Sequence, residues 1–304
     1  MIDDEAGEFL RARLTPRALA AWAGTDRLSA LPLSVPQERA LTKAGALLEL
    51  FVGGGLVRRD PSWPDFGELV VERDGDLRAT VSVLPLGKGL IVCDRLDTSD
   101  GLDYVCWPDD SSYHLAHAIP PGRRARWLDL GCGSACAEVM RPELATSIVA
   151  ADLNARATRY AAMGLELSGI SHAEVVTADL ATGLDGPFEL VTCNAPIPGN
   201  SASEGIDSRW RSTDGGFFAR LFDDAKRVVS GDGMVVVHGA TEALQAEVMG
   251  LPGERVVVSY TPEDLFGFGV LWWRPGAADR LVWKRRELTA DRPHITFDDR
   301  LAVL

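Results

Sequence analysis

The segment Trp127-Leu128-Asp129-Leu130-Gly131-Cys132-Gly133-Ser134-Ala135 constrains the fold of this chain more than any other. An apolar strand runs into a glycine-rich turn, and a helix-forming stretch follows. Glycines at such a turn let the backbone reverse sharply and approach a ligand closely. The same alternation continues downstream of a boundary at Pro120-Pro121-Gly122. Strands are expected at Arg126–Leu130, Ser147–Ala151, Ala173–Thr177, Phe188–Cys193 and Gly233–His238. Helices are expected from Ala135, over Ala155–Leu167 and over Phe217–Val229. Strands alternating with helices predict a parallel sheet covered on both faces. Arg255–Tyr260 and Gly269–Trp273 read as two final strands, and Trp272-Trp273 is expected to send one ring to the core and one to a pocket or the surface, with burial of both as the alternative.

The first 120 residues read differently, so the expected division is 1–120 as an amino-terminal accessory or cap domain and 121–304 as a ligand-binding catalytic domain with a carboxy-terminal tail. Residues 8–60 are helical in pattern. Thr15-Pro16 supplies a capping hydroxyl followed by proline in the first turn. Ser34-Val35-Pro36 opens a longer helix with Leu41, Ala44, Leu47, Leu48 and Phe51 on one stripe, ended by Gly53-Gly54-Gly55. Strand-like runs follow at Leu69–Val71, Thr80–Leu84 and Leu90–Cys93, the last two joined by a turn at Gly87-Lys88-Gly89. Helices before a small sheet suit a winged-helix-like module or a substrate-shaping cap.

Charge favours the cap. The net charge is −13 and the pI near 4.9, whereas a nucleic-acid grip normally leaves a basic footprint. Arg123-Arg124-Ala125-Arg126 and Lys284-Arg285-Arg286 are short and read as solvated surface. No apolar run approaches the roughly 18 residues that cross a bilayer, and the acidic start lacks the order of a secretion signal. Cys93, Cys106, Cys132, Cys136 and Cys193 form no zinc-type pair and read as free thiols in a reducing cytoplasm.

Three acidic residues stand at successive strand ends. Asp129 precedes the glycine turn, and Cys136 occupies the position where a dinucleotide-binding turn has its last glycine. Asp152 follows the second strand, where a carboxylate can accept both ribose hydroxyls. Asp179 follows the third, where it can accept from an adenine amino group while Leu180 packs on the ring. The plain alternatives are a helix cap for Asp152 and a loop cap for Asp179. Together with Gly131, Cys132, Gly133 and Leu153, this pattern over about residues 105–275 resembles the class I methyltransferases. The resemblance implies an α/β fold: a Rossmann-like seven-stranded sheet with its last strand antiparallel and helices on both faces, plus the amino-terminal α+β accessory domain. It also implies S-adenosyl-L-methionine as cofactor. Ala135 stands where the family has a third glycine.

The fourth strand ends in Asn194-Ala195-Pro196-Ile197, which resembles the Asn-Pro-Pro-aromatic motif of methyltransferases acting on planar nitrogens. In that group the asparagine positions the target nitrogen, so Asn194 is expected to touch both cofactor and acceptor, with Pro196 shaping the turn. Asp214-Gly215-Gly216-Phe217-Phe218 and Ser230-Gly231-Asp232-Gly233 resemble the release-factor glutamine methyltransferases. Gly101-Leu102-Asp103 and Asp109-Asp110-Ser111-Ser112 resemble the stretch that closes over cofactor in small-domain relatives. Ala195 and Ile197 depart from the motif, and losing an aromatic stack on a base forfeits roughly 1–3 kcal/mol. A turn-capping role is the alternative for Asn194. His238, at the end of the fifth strand, is a candidate general base or a structural histidine. His114 and His117 have no carboxylate partner at ligand spacing, so no metal is expected.

The expected function is methyl transfer to a small-molecule acceptor in biosynthesis, with nucleic acid and membrane not expected as partners. Four lysines among 31 basic residues fit a GC-rich bacterial genome, where such pathways are common. The alternatives are a protein glutamine or nucleic-acid base as acceptor, a non-methylating enzyme such as a cyclase, and a cofactor-binding regulatory protein.

Overall fold

The computed structural model describes residues 4–31, 45–98, 101, 103–199, 211–212, 215–261 and 266–304. They divide into two units that interleave in sequence. One comprises Met1–Asp109, Gly133–Pro142 and Asn154–Ala173, the other Asp110–Cys132, Glu143–Leu153 and Glu174–Leu304.

The first unit begins with α1 (Asp4–Arg13) and α2 (Pro16–Ala23). As expected from Thr15-Pro16, the Thr15 hydroxyl accepts from the Ala18 amide at 3.2 Å and proline occupies the first turn. Of the expected second helix, Ser34–Ala44 lie outside the described residues. Leu47, Leu48 and Phe51 are buried, in α3 (Ala46–Leu48) and the wider π turn Glu49–Gly53 that continues it to a left-handed Gly54. A small antiparallel sheet has β3 (Asp76–Ala79) between β1 (Leu56–Arg58) and β2 (Val70–Arg73). β4 (Ser82–Leu86) and β5 (Gly89–Cys93) form the expected hairpin, turning at Gly87 with φ 60°.

In the same unit, α5 (Cys136–Met140) is much shorter than α6 (Ala155–Leu167). Gly164 lets α6 approach β5, since a Cβ there would stand 3.3 Å from Ile91 Cα and Leu90 O. Ser168 Oγ completes the contact by donating to Leu90 O at 2.9 Å and accepting from Leu90 N at 2.8 Å. At the start of α6, Arg156 pairs with buried Asp94 and with Asp103, and Tyr160 donates to Asp94 at 3.2 Å.

The second unit holds an eight-stranded sheet: β6 (Arg124–Leu130), β7 (Ala145–Asp152), β8 (Ala173–Thr177), β9 (Phe188–Asn194), β12 (Val229–Ala240), β13 (Glu254–Tyr260), β14 (Phe268–Arg274) and β15 (Arg280–Arg285). A separate parallel pair joins β10 (Ile197–Pro198) to β11 (Arg211–Ser212). The order across the large sheet is β15-β13-β14-β12-β9-β6-β7-β8. The chain starts at β6 in the middle, runs outward through β7 to β8, then returns to β9 and β12 on the other side. That reversal between β6 and β9 is the switch point where ligands sit in open α/β sheets.

β6, β7, β9 and β12 pair in parallel, as strand–helix alternation requires. β14 enters between β12 and β13 and is antiparallel to both. The seven strands implied by the resemblance are present, and the tail adds an eighth, β15, parallel to β13. Lys284 and Arg285 of this edge strand are exposed, as read from the sequence, and charge at such an edge discourages pairing with another chain.

Successive strand residues face opposite sides of a sheet, and here both sides are covered. The helix α4 (Asp110–Ala118) lies on one side, where Trp272 Nε1 donates to Ala118 O at 2.7 Å. The helix α7 (Phe217–Val228) lies on the other, where Phe222 meets Trp273 edge-on at 5.9 Å. Both tryptophans are therefore buried, at 1% and 0% exposed, instead of one reaching a pocket. α8 (Thr241–Val248) and α9 (Phe297–Leu301) complete the unit. Among the described residues no helix is long and apolar enough to cross a membrane.

Candidate active site

Gly131 has φ 70° and Gly133 φ 56°, a left-handed conformation that side-chain-bearing residues rarely adopt. A Cβ built on either would meet no protein atom within 4 Å, so the turn backbone faces open space. The Gly131 and Cys132 amides both donate to Ala151 O, at 2.8 and 3.0 Å, which ties the turn to the end of β7. Ala135, where the family has glycine, also has positive φ, at 58°. That conformation costs an alanine roughly 1–2 kcal/mol and accounts for glycine being the favoured residue.

Asp129 is buried in β6 and accepts from the Thr192 hydroxyl of β9, which in turn accepts from Trp127 Nε1 at 2.7 Å. This chain of hydrogen bonds spans the switch point. Asp152 ends β7 half-buried, and the cap of α6 is Asn154, whose side chain accepts from Arg156 N at 2.9 Å. The helix-cap explanation of Asp152 therefore falls away. Asp179 is exposed, and its turn is closed by its backbone carbonyl, which accepts from Thr182 N at 3.0 Å. Leu180 and Leu153 contrast. Leu180, at φ 50°, is 7% exposed and packs into the core beside Val149 and Ala181, so its side chain is not an open platform for a ring. Leu153, beside Asp152, is 69% exposed and offers the apolar surface instead.

At the carboxyl edge of the sheet, Asn194 of β9 lies in register with His238 of β12, and Ala195 N donates to His238 O at 2.9 Å. Pro196 follows half-buried, and Ile197 begins β10. Asn194 Oδ1 is 3.0 Å from His238 Nδ1, and Asn194 Nδ2 donates to Ser111 Oγ of α4 at 2.8 Å. These partners lie across the fold, so Asn194 does more than cap its own turn. His238 Nε2 is 2.9 Å from the Tyr260 hydroxyl at the end of β13. His114 stacks on His238 at 5.9 Å from one side and Phe268 at 5.7 Å from another.

His238 is 2% exposed, and burial lowers its pKa to about 3. It is neutral at physiological pH with both ring nitrogens engaged, which suits a positioning residue and not a general base. The unfolded chain binds a proton at His238 near pH 6.5 and the folded chain only near 3, so stability from this residue is complete above 6.5 and declines as pH falls toward 3. The stability advantage of wild type over His238→Asn should shrink by about 1.4 kcal/mol per pH unit between pH 6 and 4, measured by urea unfolding.

Cys193, just before Asn194, is fully buried, and burial pushes its thiol well above the usual range, with Asp129 and Asp152 adding to the effect. All five cysteines are free, and no group of metal-binding side chains occurs among the described residues. Of the motif segments, Leu102 and Asp214 lie outside the described residues. Asp103 accepts from Arg156 in the first unit, while Ser111 joins Asn194 in the second. Ser111 was read only as part of a cofactor-closing stretch and Tyr260 only as a strand end, because nothing local marks either as a partner of a residue so far along the chain.

Residues 107–244 match the family model of the methyltransferase small domain. The ribosomal protein L11 methyltransferase of Desulfosudis oleivorans is 30% identical over 206 residues, which are 65% of this chain and 54% of that protein. The chain thus spans about half the length of the curated relative it matches. Among solved structures, a predicted O-methyltransferase of Agrobacterium tumefaciens is 20% identical, covering 63% of this chain and 94% of its own, with a TM-score of 0.45. A ribosomal protein L11 methylase of Lactobacillus delbrueckii subsp. bulgaricus is 16% identical, covering 54% and 76%, with a TM-score of 0.39. The match to the methyltransferase small domain thus covers residues 107–244, which lie on the parallel part of the sheet and the switch-point edge, next to its one antiparallel insertion.

Proposed function

We propose that this protein transfers the methyl group of S-adenosylmethionine to a small-molecule acceptor that presents a planar nitrogen to Asn194. The observation that carries the reading is the Asn194 amide, held from both ends at the switch-point edge by His238 and Ser111. A fixed amide aligns a neutral nucleophile, and alignment is what such a transfer needs most.

The residues present fit the cofactor. The open backbone at Gly131 and Gly133 leaves room for a ligand at van der Waals distance. Asp152 would accept the ribose hydroxyls, Asp179 the adenine amino group, and Leu153 would cover the ring. Asp129 lends negative charge beside the turn, and Cys132 contributes backbone. When bound, the cofactor supplies an electrophilic methyl group on a sulfonium. Asn194 then holds the acceptor, Pro196 keeps the strand end from continuing straight, and neutral His238 holds Asn194.

The net charge of −13 and Ile197 in the place of a stacking aromatic support a small acceptor over a nucleic-acid base. A protein acceptor is the second reading, favoured by the similarity to an L11 methyltransferase. The test incubates the protein with labelled S-adenosylmethionine and, separately, a small-molecule extract, ribosomal proteins and RNA. S-adenosylhomocysteine formed only with the extract is the expected result. Label in protein or RNA changes the acceptor class, and methylthioadenosine in place of S-adenosylhomocysteine replaces methyl transfer with attack on the aminobutyryl chain.

A further inference from the structure

Four side chains from four separate elements form one line at the carboxyl edge of the sheet: Tyr260 of β13, His238 of β12, Asn194 of β9 and Ser111 of α4. Each link is a hydrogen bond of ordinary length, 2.9 Å from Tyr260 to His238, 3.0 Å from His238 to Asn194 and 2.8 Å from Asn194 to Ser111. Tyr260 and His238 are 4% and 2% exposed, so water does not compete for these contacts.

The line has a direction. The Asn194 amide nitrogen donates to Ser111 Oγ, which turns its oxygen to His238 Nδ1 and leaves Nε2 to accept from the Tyr260 hydroxyl. A neutral imidazole carries one proton, which then sits on Nδ1 and is donated to Asn194 Oδ1. The flipped amide would need the opposite tautomer and a Tyr260 hydroxyl that accepts, so the His238 tautomer reports the direction of the whole line.

We infer that Tyr260 and Ser111 are positioning residues for methyl transfer, Tyr260 selecting the Nδ1–H form of His238 so that the Asn194 amide is locked with its oxygen held and one lone pair left for the acceptor. The inference rests on the proposed methyl-transfer reading and narrows its substrate class, because an acceptor that uses that lone pair must donate an N–H or O–H to it. Tyr260 touches neither cofactor nor acceptor in this scheme and acts only through His238.

Two measurements test it, one of them independent of activity. Long-range 1H–15N spectra of the wild-type protein at pH 7 should show His238 as the Nδ1–H tautomer, and Tyr260→Phe should turn this signal into a mixture of tautomers. In single-turnover assays Tyr260→Phe and Ser111→Ala should each slow methyl transfer by about 10-fold or more, with S-adenosylmethionine affinity within about twofold of wild type. His238→Asn, whose amide can replace the Nδ1–H donor, should retain more activity than His238→Leu. An Nε2–H tautomer in the wild type, or a Tyr260→Phe variant that turns over like wild type, overturns the inference. A wild-type protein that binds S-adenosylmethionine but methylates nothing removes the parent reading, and the tautomer spectrum then still decides the direction of the line.

Discussion

Gly131→Val is expected to weaken S-adenosylmethionine binding by more than about 100-fold while the protein stays folded. Two effects add. At φ 70° a β-branched residue is strained, which costs roughly 1–2 kcal/mol of stability, a loss a domain of ordinary stability tolerates. The valine side chain meanwhile enters space that the protein itself leaves open, since a Cβ at Gly131 has no neighbour within 4 Å. A ligand needing that space must give it up or shift off its polar partners. The control is Gly122→Val. Gly122 also has positive φ, at 107°, and open surroundings, but it lies in the Pro-Gly turn before the amino end of β6, opposite the carboxyl ends of the strands. Calorimetry should show wild-type affinity for the control and none measurable for Gly131→Val. Equal affinity in both variants would remove the turn from the cofactor site.

Asn194→Ala should lower single-turnover methyl transfer on the order of 10²-fold, about 2.7 kcal/mol of barrier, and change cofactor affinity by less than about threefold. The glycine turn, Asp152 and Asp179 all remain, so binding of the donor is largely preserved. What is lost is the amide that holds the acceptor, together with the far end of the hydrogen bonds from His238 and Ser111. Asn194→Asp is the sharper variant. A carboxylate keeps the shape and accepts from His238, but it cannot donate to Ser111 and adds negative charge near a sulfonium. Cofactor binding should hold or improve slightly while transfer to a neutral acceptor falls. Near wild-type turnover of Asn194→Ala would reduce the Asn-Ala-Pro-Ile segment to a turn and end the planar-nitrogen reading.

Much of this architecture was legible because it is encoded locally. The helix Ala155–Leu167 is bounded as its periodicity and the preceding Asn154 cap require, and the β4–β5 hairpin turns at Gly87 because glycine takes positive φ without strain. The strand ends carrying Asp129, Asp152, Asp179 and Asn194 follow from apolar runs that stop at polar or glycine residues. Local pattern misled where burial depends on a distant surface. Leu180 looked free to cover a ring, yet its side chain packs into the core while Leu153 stays exposed. Lys284 and Arg285 are exposed as read, whereas Arg286 beside them pairs with buried Asp299, a partner 13 positions away.

The sequence by itself determined the alternation of strands and helices, the glycine turn and the order in which the acidic residues meet it, since each depends on neighbours a few positions away. Only the tertiary structure decided which residues converge on Asn194. Ser111 lies 83 positions before it, and Tyr260 lies 22 beyond His238. Their meeting depends on α4 packing against the sheet and on β14 entering between β12 and β13, so that the ends of three strands and one helix share an edge. A hydrogen bond between residues so far apart leaves no period or spacing in the chain. It exists because the sheet's crossover order brings the donors and acceptors within 3 Å of one another and burial excludes the water that would otherwise replace them.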